Sequence, residues 1–147
     1  MKILIKNSHI LTMDAKLTEY SDGYLIIEDN EILELGSYDQ LLQSESNFDE
    51  VIDGHQTIAI PGMVNTHTHI GMIPFRSLGD DYPDRLRRFL FPLEKSCMTK
   101  ELAYHSGKYA IAEMQLAGIT TFTDMYYFED TLAQATDEMK SRAILGE

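Results

Sequence analysis

Along residues 2–60 the apolar positions come in short runs broken by polar or turn-forming residues, a texture of strands rather than helices. Runs at 3–5, 10–13, 24–28 and 32–35 predict four strands. Asp29-Asn30 reads as the hairpin turn between the last two, because both residue types tolerate the positive φ of a tight turn, and Gly36 closes that hairpin. A brief helical stretch over 38–43, with Asp39 near its start, precedes a polar surface loop at 44–50. Two more strands, 51–53 and 57–60, lead to Pro61-Gly62, so residues 1–60 read as a small β lobe.

Beyond Gly62 the pattern changes to alternating strand and helix, the order that builds a parallel sheet. A strand is predicted at 63–68, a helix from an N-cap at Thr99 to Ala117, a strand at 119–125, a helix at 131–140 and a third strand at 143–145. Glu101 stands in the first turn of the longer helix and Gly118 just past its end, while Leu102, Tyr109, Ala112, Glu113 and Leu116 recur at helical spacing. The connection at 70–98 holds Asp80-Asp81 and a basic run, Arg85, Arg87 and Arg88, interleaved with Leu86, Phe89, Leu90 and Phe91. That run predicts a short amphipathic helix with solvated arginines. A last parallel strand left without a neighbour has unpaired backbone groups, so the ending reads as truncated.

Composition narrows the class. With 44% hydrophobic and 24% charged residues among 147, the chain is expected to fold around a core and not to be disordered or fibrous. The 24 acidic residues outnumber the 12 basic ones, and a net charge of -12 opposes phosphate backbones and anionic lipid. Nucleic acid and membrane are therefore excluded as expected partners. Cys97 is the only cysteine, which rules out an intrachain disulfide; it reads as a small, partly buried hydrophobe. Lys6, Asn7, Ser8 and His9 interrupt the apolar N-terminus before a signal-like segment forms, and a cytoplasmic location is expected.

The candidate chemistry sits at the end of the 63–68 strand. His67 and His69 are two apart, so in an extended strand they share a face and can turn toward one metal ion. The competing reading of Thr66-His67-Thr68-His69 is a polar strand end. A strand entered from Pro61-Gly62 suits the first strand of a barrel, whose sites lie at the C-terminal strand ends. Two imidazoles still leave a tetrahedral ion half coordinated. His9 and His55 fall in the β lobe and His105 on a helix, so none is a strong third ligand. Asp124, at the end of the 119–125 strand, faces the same end but reads equally as a structural hydrogen bonder; Asp80-Asp81 reads first as a loop anchor.

The run from Pro61 through His69, followed by Met72, Arg76, Asp80-Asp81 and Phe91-Pro92-Leu93-Glu94, resembles the amidohydrolase superfamily. The likeness is nearest to its methylthioadenosine and S-adenosylhomocysteine deaminases and the related chlorohydrolases. It extends to Ile27-Glu28-Asp29-Asn30-Glu31-Ile32 in the lobe and to Gly118 through Tyr126. The resemblance implies an α/β fold: the N-terminal part of a (β/α)₈ TIM-like barrel, residues 61–147, preceded by a small β-sandwich lobe, residues 1–60. A whole barrel takes roughly 250 residues, so this one is incomplete.

The resemblance further implies that His67 and His69 are the first two metal ligands, for one divalent ion with zinc the expected metal, and that Glu94 binds substrate by accepting from its ribose. Apart from the resemblance, Glu94 reads as a solvated or helix-capping carboxylate. The implied activity is hydrolytic deamination of a purine nucleoside or related amino-substituted heterocycle by the full-length protein, expected to be a homo-oligomer. No catalytic acid or base is expected in this chain, which by itself should be inactive. A non-catalytic binding or assembly module is the alternative, and within the family a chlorohydrolase, guanine deaminase or cytosine deaminase. Ser77, where a glycine usually follows the arginine, and a short connection without the usual tryptophan depart from the pattern on the substrate side.

Overall fold

A computed structural model of the chain describes residues 1–146. The chain divides into two units, Met1–Pro61 and the residues from Gly62 onward.

The first unit is a five-stranded sheet of β1 (Lys2–Leu11), β2 (Glu19–Glu28), β3 (Glu31–Ser37), β4 (Glu50–Asp53) and β5 (Ile58–Ala59). Its order is β3-β2-β1-β4, with β5 also on β1; β1, β2 and β3 pair antiparallel, whereas β4 and β5 run parallel to β1. The run expected at 3–5 and the first half of the one expected at 10–13 belong to one strand, which ends at Leu11. Asn7 adopts φ 58° and the register with β2 shifts on either side of Ser8, so the polar interruption is a bulge and not a turn. Buried Ser8 turns its hydroxyl to the Thr57 carbonyl at 3.3 Å. Asp29 takes φ 53° in the hairpin, as a tight turn demands. The helix expected over 38–43 shrinks to a single 3₁₀ turn, Tyr38–Gln40, because Leu41 returns to extended backbone and packs with Tyr38 and Phe48 over buried Leu4, Tyr24 and Ile26.

The second unit is a parallel sheet in the order β6 (Met63–Thr68), β7 (Ile119–Met125), β8 (Arg142–Gly146), with helices α1 (Phe91–Cys97), α2 (Lys100–Leu116) and α3 (Glu129–Glu138) in the connections. Thr99 caps α2 by accepting from the Leu102 amide at 3.1 Å, and Gly118 ends it at φ 82°, a conformation that costs glycine least. The helical period of α2 is as expected, but its buried face is Ala103, Ser106, Gly107, Ala110, Ile111 and Met114, leaving Tyr109 and Leu116 in solvent. Small residues on that face let α3 come close: a Cβ at Gly107 would lie 2.8 Å from Leu132 Cδ2. Ile111, Phe122 and Leu132 are fully enclosed, and each such burial stabilises by about 1.5–3 kcal/mol.

The basic run forms a single π-helical turn, Leu86–Leu90, continuous with α1. Arg87 and Arg88 are solvated, whereas Arg85 is half-buried, donates to the Leu78 carbonyl at 2.8 Å and pairs with Asp80 at 3.3 Å. Cys97 is exposed in the last turn of α1, not partly buried, because that turn presents this position to solvent while Leu90 and Glu94 point inward. Among the described residues no helix is long and apolar enough to cross a membrane.

Candidate active site

At the C-terminal ends of β6 and β7 the structure brings together the two histidines. Strand alternation puts His67 and His69 on one side, with Nε2 of each 3.3 Å from the other and the rings edge to face at 80°. Nδ1 of His69 lies 2.6 Å from the Met125 carbonyl oxygen, which can only accept, so Nδ1 carries the proton and Nε2 the lone pair. The facing nitrogens accommodate either a proton on His67 Nε2 or, with His67 as the other tautomer, two lone pairs converging on one cation. Two nitrogens held at zinc-like bond lengths on a tetrahedral ion stand about 3.3 Å apart, so the observed separation fits a shared metal. Among the described residues no third histidine, cysteine or carboxylate completes such a group.

The other histidines lie elsewhere. His9 pairs with Glu19 at 2.6 Å in the first unit, His55 is exposed in the first unit, and His105 is exposed on α2. Asp124 is buried and structural in its contacts: Oδ1 accepts the Ile70 amide at 2.8 Å and lies 2.5 Å from the Thr68 hydroxyl. It therefore holds the Thr68 side chain on one side of His69 and the Ile70 backbone on the other. Asp80 pairs with Arg85, and Arg76 holds Glu113 through two bonds of 3.1 and 2.6 Å, tying the connection to α2. That ion pair keeps the Glu113 carboxyl below, and the Arg76 guanidinium above, their ordinary ranges.

Glu94 is not the solvated or capping carboxylate that its position in the first turn of α1 suggests. It is 4% exposed, because α1 turns this face toward the end of β7, where the Tyr126 hydroxyl donates to Glu94 Oε1 at 2.9 Å. Burial first, and then the bond to Glu94, pushes the Tyr126 phenol well above its ordinary range, so it remains a donor through neutral and alkaline pH. Glu94, His69, Met72, Leu86, Phe91, Met125, Tyr126 and Tyr127 line one cavity of about 390 Å³. Tyr126 and the Met125 carbonyl carried no role in the sequence reading. The available signal was the spacing of Asp124 and Tyr126, two apart at a strand end.

A parallel βαβ arrangement with polar side chains gathered at the strand C-termini is the arrangement of the opening units of a barrel-type α/β protein. A model of the amidohydrolase family matches residues 58–147, and the chain belongs to that family. It is similar to the 5-methylthioadenosine/S-adenosylhomocysteine deaminase of Halothermothrix orenii, 39% identical over 150 residues that cover 100% of this chain and 35% of the relative. It is also similar to the 5'-deoxyadenosine deaminase of Methanosarcina mazei, 37% identical over 145 residues covering 97% of this chain and 32% of the relative. Of solved structures, a zinc-bound adenosine deaminase from Xanthomonas campestris shares the fold at TM-score 0.87 and 23% identity, over 97% of this chain and 33% of the other. The chain thus spans about a third of the length of these curated relatives. Its second unit is an incomplete (β/α)₈ barrel.

Proposed function

We propose that the protein to which this chain belongs is a metal-dependent aminohydrolase that removes an amino group from a purine nucleoside or closely related heterocycle. In this reading residues 1–60 are the small lobe, and residues 61–147 open the barrel with half of a zinc site and one wall of the substrate cavity. The observation that carries it is the 3.3 Å approach of His67 and His69 Nε2 beside the cavity that Glu94 lines. The names of the similar deaminases support the substrate class.

His67 and His69 would hold the ion, with the Met125 carbonyl keeping the His69 lone pair on Nε2. A divalent ion in such a site supplies Lewis acidity that lowers the pKa of a water toward neutrality. Glu94 accepts from the sugar, and Met72, Leu86 and Phe91 supply an apolar part of the cavity wall.

The test is metal analysis of the full-length protein together with an ammonia-release screen over adenine nucleosides, guanine and cytosine. Bound zinc with turnover of the nucleosides is expected. Ammonia released from guanine or cytosine alone overturns the nucleoside assignment, and a metal-free active protein overturns the metal dependence.

A further inference from the structure

Glu94 and Tyr126 are 32 residues apart in sequence, yet a buried hydrogen bond joins their side chains. No other donor among those residues reaches Glu94, whose carboxylate lines the cavity of about 390 Å³. A carboxylate offers about four lone-pair positions over its two oxygens, so most of the accepting capacity of Glu94 is left for what enters the cavity.

The donor is itself held in place. The Tyr126 ring lies 6.2 Å from the His69 ring and 5.1 Å from the Tyr127 ring, and it packs on Gly71 so closely that a Cβ there would fall 2.5 Å from its Cδ1. A glutamate has three side-chain torsions, and its terminal one is broad, so nothing intrinsic selects one carboxylate orientation in an apolar cavity. A fixed phenol on one oxygen does.

We infer that Tyr126 is a positioning residue for substrate selection: by holding Oε1 of Glu94 it presents Oε2 to the sugar hydroxyls of a nucleoside in the cavity. This rests on the nucleoside reading of the same site. It follows that Tyr126 governs discrimination between a nucleoside with its 2′- and 3′-hydroxyls and the same nucleoside without them, while contributing little to the rate of the bound substrate.

The experiment uses the full-length protein and two substrates, an adenine nucleoside and its 2′,3′-dideoxy counterpart, with Tyr126→Phe, Glu94→Gln and the double variant. Tyr126→Phe is expected to raise KM for the hydroxylated nucleoside about tenfold, the size of one oriented hydrogen bond to a charged group, with kcat within about threefold and the dideoxy KM unmoved. In the Glu94→Gln background the same change should add less than about twofold, as residues acting through one another do. Equal losses on both nucleosides, or a full tenfold loss on top of Glu94→Gln, overturn the inference. Gly71→Ala displaces the ring without touching the phenol and should reproduce the selectivity loss; it keeps the test available if Tyr126→Phe does not fold. If the wild type prefers the hydroxylated nucleoside and Tyr126→Phe keeps that preference, the positioning role alone fails. If the wild type turns over neither nucleoside, the nucleoside reading fails and takes this role with it.

Discussion

Asp124 accepts the backbone N–H of Ile70 at 2.8 Å, joining residues 54 apart in sequence across the ends of β6 and β7. The same carboxylate oxygen lies 2.5 Å from the Thr68 hydroxyl, so the segment that carries His69 is pinned immediately before and after the imidazole. Asp124→Ala leaves the buried Ile70 amide without its acceptor, while the Thr68 hydroxyl keeps the Thr123 carbonyl at 2.9 Å, and is expected to destabilise by about 1–3 kcal/mol. Asp124→Asn keeps one acceptor oxygen and should cost nearer 1 kcal/mol. Urea unfolding reads both as shifts in midpoint at unchanged slope. Wild-type stability in the alanine variant would remove the clamp from the account.

The His67 and His69 pairing predicts that the double alanine variant of the full-length protein loses its metal, from about one ion per chain to under about a tenth. It also predicts that a chelator lowers the melting temperature of the wild type but leaves the variant unmoved, because metal that binds only the folded state stabilises it. Metal retained by the variant would falsify the ligand assignment.

Thr99 accepts the Leu102 amide at the start of α2. Thr99→Ala should cost about 1 kcal/mol, and Thr99→Ser should be close to neutral, since the hydroxyl is what caps. Denaturant midpoints of the two variants separate the cap from a packing effect of the methyl group.

Acid should loosen the seam between α2 and α3. Glu138 is held down to about 2 by the Tyr104 hydroxyl first, then by Gln134 and Lys108, from an ordinary value of 4.5. A depressed carboxyl contributes stability that is fully present above its unfolded pKa and is lost as pH falls toward the folded one, so the window runs from 4.5 down to about 2. Glu138→Gln should therefore melt below the wild type at pH 7, and the two should converge near pH 2. A gap that stays constant across that range would assign the difference to something other than this carboxyl.

What could be read without the structure was what is local. The strand at 63–68 with two histidines on one side, the Thr99 cap, the Gly118 stop and the alternation of strand and helix are set by periods of two and 3.6 and by residues a few positions apart. Such patterns survive in a one-dimensional string, and they sufficed for a parallel α/β unit and for half a candidate metal site. Glu94 entered through family resemblance, and its own neighbours in the chain pointed the other way, toward a solvated first-turn carboxylate.

What only the tertiary structure decided was remote or depended on which face turned inward. The Asn7 bulge merged two expected strands because β2 supplied a partner for both halves. Cys97 came out exposed and Glu94 buried within the same short helix, since packing chooses between faces that composition alone does not distinguish. His67 and His69 were legible as a pair, but the tautomer of His69 depends on a carbonyl 56 residues away and the orientation of Glu94 on a phenol 32 residues away. β7 lying beside β6 brings the Met125 carbonyl to His69, and α1 turned toward the end of β7 brings Glu94 to the phenol. Spacing along the chain placed the chemical groups, and strand pairing and helix docking aimed them.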